Sequence, residues 1–134
     1  MEETSRYLFV YGSLLDPSNQ FALFLRKHCS FFGDAKLRGK LYHIGPYPGA
    51  IHIPGSKTFI HGKVFMIDDR GSVLPILDTY EGFGESEIQP NEFIRKLVGV
   101  ETEKDLLKCW VYLYNWPVEG LKVISSGDYL TYRK

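Results

Sequence analysis

Cysteine is scarce in this chain of 134 residues, which holds only Cys29 and Cys109. Two cysteines that lie far apart cannot build a disulfide framework, and no Cys-x-x-Cys motif is present. We therefore expect two buried, unreactive thiols and a reducing, cytoplasmic environment.

The sequence also lacks a net charge and a long apolar run. Sixteen Lys and Arg residues balance sixteen Asp and Glu residues, so the overall charge gives no reason to bind nucleic acid or an acidic membrane, although it leaves a local basic patch open. No apolar run approaches the roughly 18 residues that a membrane-spanning helix needs. The first ten residues, with Glu2 and Glu3, do not resemble a signal peptide. We expect neither a nucleic-acid nor a membrane partner.

Motifs for metals, dinucleotides and nucleophiles are missing as well. None of the four histidines follows another at the short spacing of a metal site, and no acid cluster accompanies them, so no metal is expected. Ser13 is not part of a Gly-x-Ser-x-Gly elbow. The stretch 82–84 has two glycines, but it is too short and follows a helix rather than a strand, so it is not a dinucleotide fingerprint.

What the chain does contain is typical of one globular domain. Its hydrophobic content of 44% and charged content of 24% are ordinary, and its length suits a single domain over residues 1–134. The aromatic content of 15%, with nine Tyr and nine Phe, is typical of a β-rich core.

Hydrophobic periodicity predicts few helices and many strands. Asp16 and Ser72 are expected N-caps, and Gly82 is expected to end the second helix. The tail over 124–134 is a poor element by itself and is expected to pack onto the body. The predicted strands are 6–11, 36–44 (bent at Gly39), 50–53, 58–67, 92–102 and 107–115, the predicted turns are 45–49 and 68–71, and the predicted helices are 17–29 and 73–81.

This order of elements excludes a doubly wound sheet, because too few helices separate the strands. It favours a mixed α+β fold, in which a small, strongly curved sheet or β-barrel carries two or three flanking helices. The strands 6–11 and 107–115 are apolar on both faces, so we expect them to be buried on both sides.

A glycine turn is the most informative local feature. The strand over 6–11 ends in Tyr11, Gly12, Ser13 and Leu14. Because Gly12 has no side chain, backbone N–H groups of this turn can approach a ligand closely.

Glu81 is the candidate functional acid. It lies in the last turn of the predicted helix 73–81, at the edge of an apolar stripe and three residues after Asp78. Burial, a like charge and the helix dipole would each raise its pKa, and such a carboxyl group can accept and return protons near neutrality. The residues alone favour the alternative, a surface glutamate that precedes a helix-ending glycine.

Several short motifs, in a fixed order, resemble those of the γ-glutamylcyclotransferase-like superfamily. The likeness is greatest to its small branch, which includes γ-glutamylamine cyclotransferase and the plant avirulence-induced-gene-like proteins, and it covers about residues 7–130. The motifs are Tyr11-Gly12-Ser13-Leu14, Tyr47-Pro48-Gly49, Ile60-His61-Gly62-Lys63-Val64, Leu77-Asp78-Thr79-Tyr80-Glu81-Gly82, Phe93-Ile94-Arg95, Val111-Tyr112 and Ser126-Gly127-Asp128-Tyr129.

The resemblance implies a small mixed β-barrel with flanking helices, and a cofactor-independent reaction. The α-amine of a γ-glutamyl group would attack its own γ-carbonyl, giving 5-oxoproline and a free amine. Carried over to this chain, Glu81 would be the general acid/base. The substrate contacts would come from Tyr11, Gly12, Ser13 and Leu14. Tyr47 and Tyr114 are weaker candidates for pocket walls, because a core position is the favoured interpretation for each.

Three functions stay open at this point. The first is an enzyme that acts on a γ-glutamyl amine or a γ-glutamyl amino acid. The second is a non-catalytic module that keeps the γ-glutamyl pocket and binds a small molecule. The third is an interaction domain whose pocket is incidental. The sequence does not decide the substrate or the oligomeric state.

Overall fold

The computed structural model describes residues 5–16, 19–68 and 70–132 of the chain. Within these ranges the strands greatly outnumber the helical turns, as the periodicity predicts. The elements are β1 (Tyr7–Val10), α1 (Gln20–His28), β2 (Cys29–His43), β3 (Pro48–His52), β4 (Phe59–Ile67), α2 (Arg70–Glu81), β5 (Phe93–Glu101), β6 (Leu106–Tyr114), β7 (Lys122–Val123) and α3 (Tyr129–Tyr132).

Five of the strands close into a barrel in the order β2, β4, β1, β6, β5. The pairs are antiparallel except for β1 and β6, which run parallel where Leu8 lies opposite Trp110. The barrel closes where Lys36 of β2 pairs with Glu101 of β5, and an ion pair of 2.7 Å between Arg38 and Glu101 lies beside this closure. The predicted α+β barrel with flanking helices is confirmed.

The strand β2 is long enough to belong to two parts of the sheet. Its residues 29–38 pair with β4, and its residues 39–43 pair with β3, while β7 pairs with its last two residues. The change of partner occurs at Gly39, where the sequence predicts a bend.

Burial on both faces distinguishes the central strands β1 and β6, as expected. Phe9 of β1 and Tyr11, which follows it, belong to the core inside the barrel, whereas Leu8 and Val10 pack in a second core beneath the helices. This alternation places the C-terminal end of β1 between two buried layers and fixes the direction in which the chain leaves the strand.

The first helix is shorter than predicted. Asn19 is its N-cap, and the side chain of Asn19 accepts hydrogen bonds from the backbone N–H groups of Phe21 and Ala22 at 2.7 and 3.3 Å. Asp16, the expected N-cap, therefore does not cap this helix. It directly follows a short 3-10 turn over Ser13–Leu15. Pro17, the expected first helical residue, lies outside the described residues.

The first third of β2 is a strand that the sequence analysis missed. The chain passes from α1 directly into β2, and a register shift between Phe31 and Gly33 breaks the alternation of buried and exposed residues. Without this alternation the stretch has no period of two, and Gly33 looks like the end of a helix rather than part of a bulged strand.

The second helix also departs from its predicted start. It begins at Arg70, so the expected turn over 68–71 and the expected cap at Ser72 are wrong. Its buried stripe includes Leu74, whereas Ile76 is 42% exposed. Its end is as predicted: Gly82 takes a φ of 73°, a conformation that favours glycine.

The C-terminal tail packs onto the barrel as expected. The N–H of Ile124 donates to the carbonyl of Leu41 at 2.7 Å, and the N–H of His61 donates to the carbonyl of Gly127 at 2.8 Å. Tyr129 is buried, and its hydroxyl donates to the carbonyl of Pro46 at 3.0 Å. None of the helices in the described ranges is both long and apolar enough to span a membrane.

Gly62 of β4 makes room for the end of β1, and its replacement tests this packing. A Cβ atom at Gly62 would lie 2.3 Å from the carbonyl oxygen of Val10 and 2.8 Å from the ring of Phe9, so these neighbours would have to move. Gly62→Ala should lower the free energy of unfolding by about 1–3 kcal/mol, measured by urea denaturation.

Gly33→Ala is the matched control, because a Cβ atom at Gly33 of β2 would meet nothing within 4 Å. Its effect should stay within about 0.5 kcal/mol. Equal unfolding free energies for the two variants would contradict the packing described here.

Candidate active site

A cleft of about 410 Å³ opens at the end of the barrel where β1 meets the C-terminus of α2. Three elements converge there: the glycine turn after β1, the loop that leads into β3, and the segment that joins α2 to β5. The described lining residues are Phe9, Val10, Tyr11, Gly12, Leu14, Tyr47, Pro48, Thr79, Tyr80, Glu81, Gly82, Glu87, Glu92, Phe93 and Tyr112.

The glycine turn forms one wall of the cleft. The carbonyl of Gly12 accepts a hydrogen bond of 2.9 Å from the N–H of Leu15, which closes the 3-10 turn. A Cβ atom at Gly12 would lie 2.9 Å from Cγ of Pro48, so a larger residue would force the two walls apart. Leu14 is buried beneath the helices and anchors the turn. The side chain of Ser13 lies outside the described part of the structure.

Glu81 is the last residue of α2, and it borders the cleft. Among the described residues, no group donates a hydrogen bond to its carboxylate, and both oxygens keep access to the cleft. Desolvation by the surrounding protein, followed by the charge of Glu92, raises the pKa of Glu81 to about 8. The direction agrees with the sequence-based expectation, but the like charge comes from Glu92 rather than from Asp78.

Asp78 is occupied by other partners. The guanidinium of Arg95 donates to both oxygens of Asp78 at 2.8 and 3.1 Å, and the hydroxyl of Tyr112 donates to one of them at 2.6 Å. The guanidinium also lies 4.5 Å from the ring centroid of Trp110. These contacts neutralise Asp78 and attach α2 to β5 and β6, so they hold Glu81 in place.

Glu92 is the acid that sequence reasoning missed. It directly precedes β5, and its Oε2 accepts a hydrogen bond of 2.5 Å from the hydroxyl of Tyr47. Desolvation of the phenol, followed by this hydrogen bond, raises the pKa of Tyr47, so the phenol remains a neutral donor. No motif or spacing in the sequence marks Glu92, because a glutamate before a strand is a common surface residue.

Tyr11 and Tyr114 take structural positions. The hydroxyl of Tyr11 donates to the carbonyl of Tyr112 at 2.6 Å and accepts from the N–H of Ala50 at 3.3 Å, so both of its functions are used inside the barrel. Tyr114 is buried, with its ring 5.5 Å from that of Phe93. Of the predicted site residues, the structure brings Tyr11, Gly12, Leu14, Tyr47 and Glu81 to one cleft, whereas Tyr114 packs behind Phe93.

The charged residues in the described lining are all acidic. They are Glu81, Glu87 and Glu92, and no Lys, Arg or His accompanies them in the lining given above. No group of three or more His, Cys, Asp or Glu side chains that could hold a metal ion occurs in the ranges the structure describes. The arrangement suits proton transfer by one unpartnered carboxyl group, which its raised pKa allows to exchange a proton near neutral pH.

Comparison with known proteins agrees with this geometry. The family model described as "Gamma-glutamyl cyclotransferase, AIG2-like" matches residues 8–131. The γ-glutamylcyclotransferase family protein YtfP of Escherichia coli K12 is 36% identical over 124 residues, which cover 92% of this chain and 95% of that protein.

Solved structures share the fold. The solution structure of the Escherichia coli protein ytfP aligns with a TM-score of 0.65 and 32% identity, over 96% of this chain and 99% of that one. The crystal structure of an AIG2-like protein from Mus musculus aligns with a TM-score of 0.63 over 86% of this chain and 90% of that one, and at 21% identity it supports the fold alone. The barrel, the cleft and the sequence match together place this chain in the γ-glutamyl cyclotransferase, AIG2-like family.

Proposed function

We propose that the protein is a cofactor-independent γ-glutamyl cyclotransferase, which converts a γ-glutamyl amine or a γ-glutamyl amino acid into 5-oxoproline and a free amine. One observation carries this proposal. The carboxyl group of Glu81 faces the cleft without a hydrogen-bond partner among the described residues, next to the glycine turn. A structural glutamate in so desolvated a position would be expected to have a partner.

The reaction needs protons to be moved and little else. The α-amine begins as –NH₃⁺ and ends as a lactam N–H, so it gives up two protons. The leaving nitrogen begins as an amide N–H and ends as –NH₃⁺, so it gains two. Between these states the amine nitrogen bonds to the γ-carbonyl carbon, and the bond from that carbon to the leaving nitrogen breaks. One carboxyl group near both nitrogens can take a proton from the first and give one to the second.

The remaining walls would hold the substrate in the attacking conformation. Since the nucleophile belongs to the substrate, catalysis depends mainly on folding the γ-glutamyl chain into a ring-like shape. We assign backbone N–H groups of the turn from Tyr11 to Leu14, Ser13 included, to the carbonyl oxygen or the α-carboxylate of the substrate. Gly12 packs directly against Pro48, because a Cβ atom at Gly12 would lie 2.9 Å from Cγ of Pro48, so this wall has no room for a side chain at position 12.

The two cysteines bear on the cellular compartment in which the protein works. Neither thiol forms a disulfide in the structure, and Cys29 and Cys109 are both buried. Burial raises the pKa of Cys29 to about 11, which keeps this thiol protonated and unreactive. These features support a reducing compartment, and the proposed assignment is the cytoplasm.

Replacement of Glu81 tests the proposed reaction. Glu81→Gln keeps the size of the side chain but cannot exchange a proton, so 5-oxoproline formation should fall by about 10²- to 10⁴-fold. The measurement is mass spectrometry of 5-oxoproline after incubation with a panel of γ-glutamyl amines and γ-glutamyl amino acids.

Glu103→Gln is the control, because Glu103 is exposed on the turn between β5 and β6, away from the cleft. It should retain full turnover. Equal rates for wild type and Glu81→Gln would remove Glu81 from the reaction, and a folded wild type that produces no 5-oxoproline from any panel member would reject the proposed function.

The raised pKa of Glu81 also predicts how stability depends on pH. Folding lifts this pKa from 4.5 to about 8, so between these values the folded protein holds a proton that the unfolded chain has released. Wild-type stability should therefore fall as the pH rises through this window. Glu81→Gln removes the effect, so its Tm should exceed that of wild type by several degrees more at about pH 8.5 than at about pH 5.

Thermal unfolding followed by circular dichroism at several pH values measures this difference. The Glu103→Gln protein should follow the wild-type pH dependence. If the Tm difference between Glu81→Gln and wild type is constant with pH, the carboxyl group of Glu81 is not protonated in the folded protein at neutral pH.

A further inference from the structure

Glu92 has features that its role in the fold does not explain. Its Oε2 is held by Tyr47, while its other carboxylate oxygen has no hydrogen-bond partner among the described residues and keeps access to the cleft. A carboxylate that serves only to anchor Tyr47 does not need to face the same cleft as Glu81.

The surroundings of Glu92 fix it firmly. The backbone N–H of Asn115 donates to the carbonyl of Glu92 at 2.7 Å, which ties this residue to the end of β6. On one side, Asn91 is buried and bonds to Gly84 and Ile88, and on the other side Phe93 is buried within β5. These contacts fix the backbone of Glu92, and the hydrogen bond from Tyr47 sets the direction of its carboxylate, as a binding group requires.

The charges around the two acids favour a cation. From every element that borders the cleft, the described titratable groups facing it are acids and neutral phenols, and Arg95 is already paired with Asp78. The γ-glutamyl compounds of the proposed function carry one cation next to the reacting atoms, the α-ammonium group. The groups concerned are Glu81 of α2, Glu87 and Glu92 of the segment before β5, Tyr80 of α2, Tyr11 after β1, Tyr47 before β3 and Tyr112 of β6.

We propose that Glu92, oriented by Tyr47, binds the α-ammonium group of the γ-glutamyl substrate and places that amine beside Glu81. This inference rests on the proposed function, because it takes the substrate from it. Glu92 is then a substrate-binding residue, and Tyr47 is a positioning residue that acts through it.

The assignment gives the two acids different tasks. The carboxylate of Glu92 accepts a hydrogen bond from Tyr47 at one oxygen and can pair with the ammonium group through the other. In the empty cleft, desolvation and then repulsion from the carboxylate of Glu92 raise the pKa of Glu81. When the ammonium group pairs with Glu92, that repulsion is offset, and Glu81 becomes the base that takes the proton from the amine.

A binding experiment tests this assignment without turnover. Calorimetry with the Glu81→Gln protein compares γ-glutamylpropylamide with its N-acetyl derivative, which has no ammonium group. The free amine should bind about tenfold or more tightly. Adding Glu92→Gln should bring the two affinities close together. A ratio that Glu92→Gln does not change, or no binding of the free amine to the Glu81→Gln protein, would overturn the proposal.

A second variant, Tyr47→Phe, tests the same assignment in case the Glu92→Gln protein does not fold. Tyr47→Phe keeps the charge of Glu92 but removes the hydrogen bond that orients it, so the ratio between the two ligands should fall part of the way in the Glu81→Gln protein. An unchanged ratio in the Tyr47→Phe variant would show that Tyr47 does not position the ammonium-binding group.

The pH profile separates binding from a purely structural role. With Glu81 present, Glu92→Gln should raise KM and move the rising limb of kcat/KM to lower pH by about one unit or less. If the role of Glu92 were purely structural, Glu92→Gln would lower the activity but leave the rising limb of the kcat/KM profile at the same pH. The outcomes also separate the two proposals: ammonium-dependent binding without 5-oxoproline rejects the cyclotransferase alone, whereas turnover with an unchanged ligand ratio in Glu92→Gln rejects the role of Glu92 alone.

Discussion

The contact between Asp78 of α2 and Arg95 of β5 determines where the carboxyl group of Glu81 lies. Glu81 follows Asp78 by three residues, which is almost one turn of the helix. The two hydrogen bonds from Arg95 and the third from Tyr112 therefore set the position of the helix end against the barrel. A partly buried ion pair of this kind is a modest source of stability, but it is costly to break and therefore specific in its geometry. The position of Glu81 thus depends on a pair of charges that takes no part in the proposed chemistry.

The two carboxyl groups of the cleft lie in different surroundings. Glu81 is poorly solvated, and this desolvation raises its pKa, whereas Glu92 accepts a hydrogen bond from the hydroxyl of Tyr47. Two chemically equal side chains thereby lie in different electrostatic environments within one cleft. Such a difference allows the two groups to take different roles in binding and in proton transfer.

Much of the fold was predictable from the sequence, because two-sided burial in β1 and β6 and the glycine at the end of α2 leave clear patterns. The bulge in β2 was not, since one extra residue destroys the alternation on which a strand prediction depends. In the site, the glycine turn and Glu81 follow local rules of turns and helix ends, and family resemblance added their roles. Glu92 could not be found in this way, because its approach to Tyr47 spans 45 residues and depends on how the barrel closes.

The segment between α2 and β5 is closed upon itself by Asn91. The side chain of this residue bonds to the N–H and the carbonyl of Gly84 and to the carbonyl of Ile88, and its own carbonyl accepts from Asn115. The tip of the loop, including Glu85 and Ile88, is exposed and carries none of the barrel's packing. Since Glu87 of this loop lines the cleft, changes at the tip would alter the rim of the cleft, while Asn91 keeps the start of β5, and with it Glu92, in place.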